Sequence, residues 1–139
     1  WGIDALVREQ TRPHKDLDLV VDAAQLGEAF AALRGLGLRR VPETEPGADR
    51  HVPDSLMPHR ELVQDAGGRT VDLHPVRSAT WLADVGVERA FATGSIGGRT
   101  VDCLSVAAQR AAHQGFELAA EHEANLRSIE RLGSGPDAP

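Results

Sequence analysis

The chain has 139 residues, and its formal net charge is −6 because 21 acidic residues outnumber 15 basic ones. This length suffices for one hydrophobic core, and the acidic balance gives no general electrostatic footprint for nucleic acid. A single cysteine, Cys103, excludes an intramolecular disulfide and fits a reducing compartment, so a cytoplasmic protein is expected. No apolar run reaches the roughly 20 residues that cross a bilayer, and no membrane association is expected.

The first third of the chain predicts two helices separated by a strand. Apolar residues at helical spacing predict the end of a helix over Trp1 to Val7, and Pro13 prevents its continuation. A strand is expected from Asp16 onward. Asp22 then stands where a helix N-cap is wanted, and the helix that follows is expected to stop at Gly35 to Gly37.

The middle of the chain predicts strands joined by turns. Leu38 to Val41 is expected to form a short strand, and Pro42 to Pro58, which contains four prolines, a long loop that could serve as a substrate lid. Two hairpins are expected, one joining Glu61–Gln64 to Arg69–His74 and one turning around Ser95–Gly98.

The C-terminal part predicts helices. Ser105 is a suitable N-cap for a helix over Val106 to His113, and Leu118 to Leu132 predicts a last helix. The fold class expected is therefore α/β, with a small mixed, mainly antiparallel sheet flanked by helices and followed by a short helical segment. We expect a core over residues 1–104, the helical segment over 105–132 and a disordered tail over 133–139.

Acidic residues at alternate strand positions are the main candidates for a functional site. Asp16 and Asp18 share one face of their predicted strand, and two neighbouring carboxylates usually require a cation between them. Asp72 offers a third carboxylate on a nearby predicted strand, on the same face as Thr70 and His74. Since Mg²⁺ prefers oxygen ligands, the three aspartates predict a magnesium site.

Each candidate also has a plainer interpretation. Asp16 and Asp18 could be turn or capping acids, Asp72 could be an exposed strand residue, and Asp22 is better explained as a helix cap than as a ligand. The histidines His51, His59 and His74 lack zinc-ligand spacing, so no metal is assigned to them. Cys103 is expected to be a small buried strand residue.

Three segments carry a resemblance to a known superfamily: Trp1–Leu6, Thr11–Asp18 and Val71–Pro75. They resemble the nucleotidyltransferases of the DNA polymerase beta type, and most of all the small lincosamide and aminoglycoside (2″-type) enzymes. The resemblance extends over nearly the whole chain. Members of this family carry a Gly-Gly or Gly-Ser pair just before the Trp, and this chain starts at Trp1, so an N-terminal fragment without that turn is expected.

The resemblance implies a reaction and its participants. It implies Mg²⁺-dependent transfer of AMP from ATP to a hydroxyl of a small molecule, such as an aminoglycoside or lincosamide antibiotic. Asp16 and Asp18 would hold the Mg²⁺, and Asp72 would either bind a second Mg²⁺ or accept the proton of the acceptor hydroxyl. Because a carboxylate in contact with Mg²⁺ is a poor base, these two roles of Asp72 compete.

The resemblance also implies a nucleotide-binding role for the basic segment Arg12, His14 and Lys15, which would lie beside the triphosphate; a solvated basic turn is the alternative. Among Glu117, Glu121 and Glu123, one could hold an amine of the acceptor, although acidic helix faces are usually just solvated. A monomer or homodimer is expected. Two other functions stay open: a minimal nucleotidyltransferase of the toxin-antitoxin type that acts on a protein, and an inactive nucleotide-binding module.

Overall fold

The computed structural model describes residues 1–42, 60–77, 82, 86–112, 127, 128 and 130. Its elements are α1 (Gly2–Val7), β1 (Asp16–Asp22), α2 (Leu26–Gly35), β2 (Arg39–Arg40), β3 (Glu61–Gln64), β4 (Thr70–Val76), β5 (Phe91–Ile96), β6 (Arg99–Leu104) and α3 (Val106–Ala112). The chain divides into two compact units, of which the first contains residues 1–13 and the described residues from 82 onward, and the second contains residues 14–42 and 60–77. The expected mixed α/β fold is confirmed.

The second unit is built on a four-stranded sheet with the strand order β1-β4-β3-β2. The pair β1–β4 is parallel, whereas β4–β3 and β3–β2 are antiparallel, so the sheet is mixed and mainly antiparallel as predicted. The predicted hairpin joins β3 to β4. Asp65 Oδ1 stabilises its turn by accepting hydrogen bonds from the amides of Gly67 and Arg69, each at 2.9 Å.

Helix α2 covers the apolar face of this sheet. Val63, Val71 and Leu73 are buried at the centre of the cluster. The partly buried residues around them come from β1, from α2 and from the start of β2: Leu17, Leu19, Val21, Leu26, Ala29, Phe30, Leu33 and Leu38. The alternation of apolar residues along β1 and β4 thus places Leu17, Leu19 and Leu73 against α2 and leaves Asp18, Asp72 and His74 on the other face.

Local signals explain where α2 begins and ends. Asp22 Oδ1 accepts a hydrogen bond from the amide of Ala24 at 2.8 Å and so caps a short 3₁₀ turn, Ala23–Gln25, that leads into the helix. Gly37 has φ +88°, a left-handed conformation that favours glycine, and the amide of Leu38 donates to the carbonyl of Leu33 at 3.0 Å. The predicted cap at Asp22 is therefore confirmed.

The first unit packs α1 and α3 against the predicted second hairpin, β5–β6, which forms its own two-stranded sheet. Helix α1 approaches β5 so closely that a Cβ at Gly94 would lie 2.7 Å from backbone atoms of Ala5. Ser105 caps α3 as predicted, since its Oγ accepts from the amide of Ala108 at 3.1 Å. Cys103 is buried beside Ala92, and burial raises the pKa of its thiol.

A buried carboxylate anchors the turn after α1. Asp4 is 1% exposed, and its Oδ1 accepts hydrogen bonds from both the hydroxyl and the amide of Thr11. Within this turn Arg8 adopts φ +61°, and the amide of Glu9 donates to the carbonyl of Asp4 at 3.1 Å. The path of the chain into the basic segment that starts at Arg12 is thus fixed by a side chain of α1.

Several predictions fall on other parts of the chain. The proposed lid beyond Pro42, the end of the helix after Ala112 and the tail lie outside the described residues. Of the predicted last helix, Arg127, Ser128 and Glu130 are described, and they are helical. The predicted division at residues 104 and 132 stays a prediction. Among the described helices, none combines the length and the apolar character needed to cross a membrane.

Candidate metal centre

The pairing of β1 with β4 determines which polar side chains meet. In the parallel register Asp16 lies opposite Thr70, Asp18 opposite Asp72, and Val20 opposite His74. Residues paired in this way point to the same side of a sheet, and for these pairs that side is the one away from α2. Asp18 and Asp72 therefore meet side by side, as the sequence predicted.

Three side chains in this part of the second unit could share one metal ion. Asp18, Asp72 and His74 each offer a ligand atom, and these atoms all lie within 4.8 Å of one another. Asp16 precedes Asp18 by two residues on the same face but does not belong to this group of three. The structure thus brings together two of the three predicted ligands and adds His74.

His74 was not expected as part of the site. Its Nε2 lies 3.2 Å from Asp18 Oδ1, and its Nδ1 is buried without a hydrogen-bond partner among the described residues. The sequence did contain a signal, because His74 follows Asp72 by two residues and therefore shares its face. Zinc-ligand spacing along the chain could not reveal it, since its neighbour Asp18 lies on another strand.

Asp72 is buried and lies near charged side chains of both signs. The residue is 4% exposed, and Arg60 Nη1 donates to its Oδ2 at 2.8 Å. Burial raises the pKa of Asp72, and the negative charges of Asp18 and Asp16 raise it further, while the guanidinium of Arg60 acts in the opposite direction. Desolvation therefore makes this carboxylate a stronger proton acceptor than an exposed one.

Asp18 differs from Asp72 in its surroundings. Its side chain is 63% exposed, and the hydrogen bond with His74 lowers the pKa of its carboxyl group. The hydrogen bond with His74 thus favours the charged form of Asp18, whereas burial disfavours the charged form of Asp72.

The donor set fits a hard divalent cation. Two carboxylates on adjacent strands supply oxygen ligands, and their mutual repulsion would be relieved by a cation between them. The nitrogen of His74 is compatible with Mn²⁺ as well. Asp18 and Asp72 would be the main ligands, with Asp16 and His74 beside them.

The basic residues predicted to bind nucleotide are partly tied to the backbone around them. Arg12 Nη1 donates to the carbonyl of Pro13 at 3.2 Å, and Gln10 Nε2 donates to the carbonyl of Arg12 at 3.1 Å. Lys15 is exposed, and its carbonyl accepts from Thr70 Oγ1 at 3.3 Å. A nucleotide-binding role for Arg12, His14 and Lys15 stays a prediction. The acceptor candidates Glu117, Glu121 and Glu123 lie outside the described residues.

Two solved structures of antibiotic-modifying enzymes are similar to this chain in fold. The lincomycin-bound lincosamide adenylyltransferase LnuA shares the fold with a TM-score of 0.66 at 22% identity, over 94% of this chain and 81% of that one. The aminoglycoside enzyme ANT(2″)-Ia in complex with adenylyl-2″-tobramycin gives a TM-score of 0.63 at 23% identity, over 93% of this chain and 73% of that one. These two structures thus share the fold of this chain.

Sequence comparison specifies the family. The model of the aminoglycoside-2″-adenylyltransferase family matches residues 1–129, and the chain belongs to that family. A lincosamide resistance protein of Staphylococcus haemolyticus is 22% identical over 142 residues, which cover 95% of this chain and 81% of that protein. The resemblance recognised in the sequence is therefore confirmed, and the protein is an enzyme of the adenylyltransferase type.

Proposed function

We propose that this enzyme transfers AMP from ATP to a hydroxyl of a small antibiotic, an aminoglycoside or a lincosamide, in a Mg²⁺-dependent reaction. The observation that carries the proposal is the register match of Asp18 with Asp72, which assembles an acidic cation site on the polar face of the sheet. Family membership supports adenylyl transfer. Two relatives, one a lincosamide adenylyltransferase and one bound to adenylyl-2″-tobramycin, support an antibiotic as the acceptor.

The reaction exchanges one bond to phosphorus for another. The acceptor hydroxyl oxygen attacks the α-phosphorus of ATP and forms an ester bond, while the bond from that phosphorus to the bridging oxygen breaks. Pyrophosphate leaves with the electron pair, and the proton of the hydroxyl passes to a base. Mg²⁺, when bound, neutralises charge on the triphosphate and on the departing pyrophosphate.

The three aspartates have different proposed roles in metal binding and proton transfer. Asp16 and Asp18 would hold the cation, and the hydrogen bond with His74 that lowers the pKa of Asp18 favours its charged form. Asp72 completes the site. Asp72 would either bind a second Mg²⁺ or accept the proton of the acceptor hydroxyl, and these two roles compete. Arg12, His14 and Lys15 stabilise the phosphates with positive charge and hydrogen-bond donors.

The nucleotide donor and the charge of the chain indicate where the enzyme acts and which substrates approach it. Because ATP is supplied inside the cell, we place the enzyme in the cytoplasm. We expect a monomer or a homodimer, since all predicted ligands of the site come from one chain. The acidic balance of the chain, with net charge −6, favours approach of a cationic drug such as an aminoglycoside.

Mass spectrometry of the acceptor tests the proposal. The full-length protein is incubated with Mg²⁺-ATP and a panel of aminoglycosides and lincosamides, beside its Asp18→Asn variant. One added adenylyl group per drug molecule, absent with the variant, is the expected result. No drug product with ATP binding intact would indicate a protein acceptor instead, and absence of ATP binding would indicate an inactive module; either outcome contradicts the proposal.

A further inference from the structure

Arg60 contacts Asp72 from the β3 side of β4, whereas Asp18 lies on the β1 side. Strand β4 lies between β1, which carries Asp18, and β3, which begins one residue after Arg60. Arg60 Nη1 donates to Asp72 Oδ2 at 2.8 Å, and the side chains of the two residues are 46% and 6% exposed. Asp72 thus stands between a carboxylate on one neighbouring strand and a guanidinium on the other side.

This arrangement constrains how the carboxylate of Asp72 can turn. A charge-assisted hydrogen bond from a planar guanidinium is directional, and it is stronger where little water competes, as at buried Asp72. Repulsion from Asp18 alone would favour rotation of the carboxylate away from β1. The contact with Arg60 acts in the same direction, because it holds Oδ2 on the β3 side and leaves Oδ1 as the oxygen nearer to β1.

We infer that Arg60 is a positioning residue, which holds Oδ2 of Asp72 so that Oδ1 is the oxygen left facing Asp18 and the site of transfer. The inference rests on the proposed adenylyl transfer and adds to it the residue that orients Asp72. It separates the two oxygens of Asp72 by role. Arg60 acts through Asp72, so its removal should slow the chemical step and leave substrate binding in place.

Steady-state kinetics of Arg60→Met test this role. The expected result is a loss of about 10- to 100-fold in kcat, as for other residues that orient a reacting side chain, with KM for ATP and for the acceptor nearly unchanged. Arg60→Lys should recover only part of the loss, since an ammonium supplies charge without the planar fork. Urea unfolding of each variant checks that the fold is kept.

Arg69→Met is the matched control. Arg69 also pairs with an aspartate of this hairpin, through Nε to Asp65 Oδ2 at 2.6 Å, but its side chain is 85% exposed and its partner lies in the turn. This variant removes an arginine from the same hairpin without touching Asp72. Its kcat is expected to match that of the unaltered enzyme, and an equal loss in both variants would show a general structural effect and overturn the inference.

A double-mutant comparison shows whether Arg60 acts through Asp72. In an Asp72→Asn background, Arg60→Met should cause no further loss, because the oriented carboxylate is already gone. A further loss of the same size, or a raised KM for ATP with kcat unchanged, would mean that Arg60 binds substrate directly. An Arg60→Met enzyme as fast as the unaltered one also overturns the inference, whereas an unaltered enzyme that transfers nothing defeats the proposed function itself and the role of Arg60 with it.

Discussion

Asp18 and Asp72 lie directly opposite each other in the parallel register of β1 and β4, and each offers a ligand atom within 4.8 Å of the other. The two carboxylates differ in burial, in hydrogen-bond partners and in the direction of their pKa shifts. A pair of like charges at this separation is tolerated when a cation or proton is shared there.

Replacement of Asp18 should abolish the reaction and keep the fold. Asp18→Asn removes a charged ligand but preserves shape, so a loss of about 10²- to 10³-fold in kcat is expected from the lost electrostatic stabilisation. Adenylylated product is measured by mass spectrometry, and thermal unfolding checks the structure. Asp22→Asn is the control, because asparagine also caps helices well and Asp22 serves as a cap. Retained turnover in Asp18→Asn would refute the metal-ligand role.

The raised pKa of Asp72 should make the free energy of unfolding of the metal-free protein depend on pH. Its pKa is raised above the ordinary value of 3.8, so the folded state binds more protons than the unfolded state between that value and the raised pKa. The contribution of Asp72 to the free energy of unfolding is therefore highest below 3.8 and decreases as pH rises through its folded pKa. In urea unfolding, the free energy of unfolding of the unaltered protein minus that of Asp72→Asn should fall as pH rises; a difference that rises with pH would contradict the shift.

The close contact between α1 and β5 should make Gly94 intolerant of a side chain. A Cβ there would meet backbone atoms of Ala5 at 2.7 Å, so Gly94→Ala is expected to destabilise the protein by about 1–3 kcal/mol. Gly27→Ala is the control in α2, where a Cβ meets no atom within 4 Å, and alanine should be neutral or stabilising by about 0.5–1 kcal/mol. Chemical denaturation measures both, and equal effects would argue against the close approach.

The anchor between Asp4 and Thr11 should contribute to stability. Thr11→Val removes the hydroxyl that donates to buried Asp4, and a cost of about 1–3 kcal/mol is expected because the carboxylate loses a partner. Thr100→Val, at an exposed position of β6, is the control and should change the unfolding free energy by less than about 0.5 kcal/mol. A Thr11→Val protein as stable as the unaltered one would contradict the anchor.

Local patterns in the sequence predicted much of the fold and part of the site. Alternation along β1 and β4 separated Leu17 and Leu73 from the carboxylates, and the alternation held in the structure. Asp22 and Ser105 were predicted as caps because capping depends on neighbours in sequence.

The contacts that the sequence did not predict join distant segments. Arg60 lies between the predicted loop and the strand that begins at Glu61, and its contact with Asp72 depends on the pairing of β3 with β4 and on the reach of a long side chain. His74 joins Asp18 through the pairing of β1 with β4, 56 residues apart in sequence. Strand register and side-chain reach of this kind are properties of the folded chain, so spacing alone does not show them.

Direct measurement of Mn²⁺ binding tests the central claim, that the opposed carboxylates hold a divalent cation for nucleotidyl transfer. Electron paramagnetic resonance would measure Mn²⁺ bound to the protein in the presence of a non-transferable ATP analogue, for the unaltered enzyme and for Asp18→Asn, Asp72→Asn and Asp22→Asn. We expect binding to the unaltered enzyme and to Asp22→Asn, and strong weakening in Asp18→Asn and Asp72→Asn. Equal binding in all four proteins would place the cation elsewhere and contradict the account.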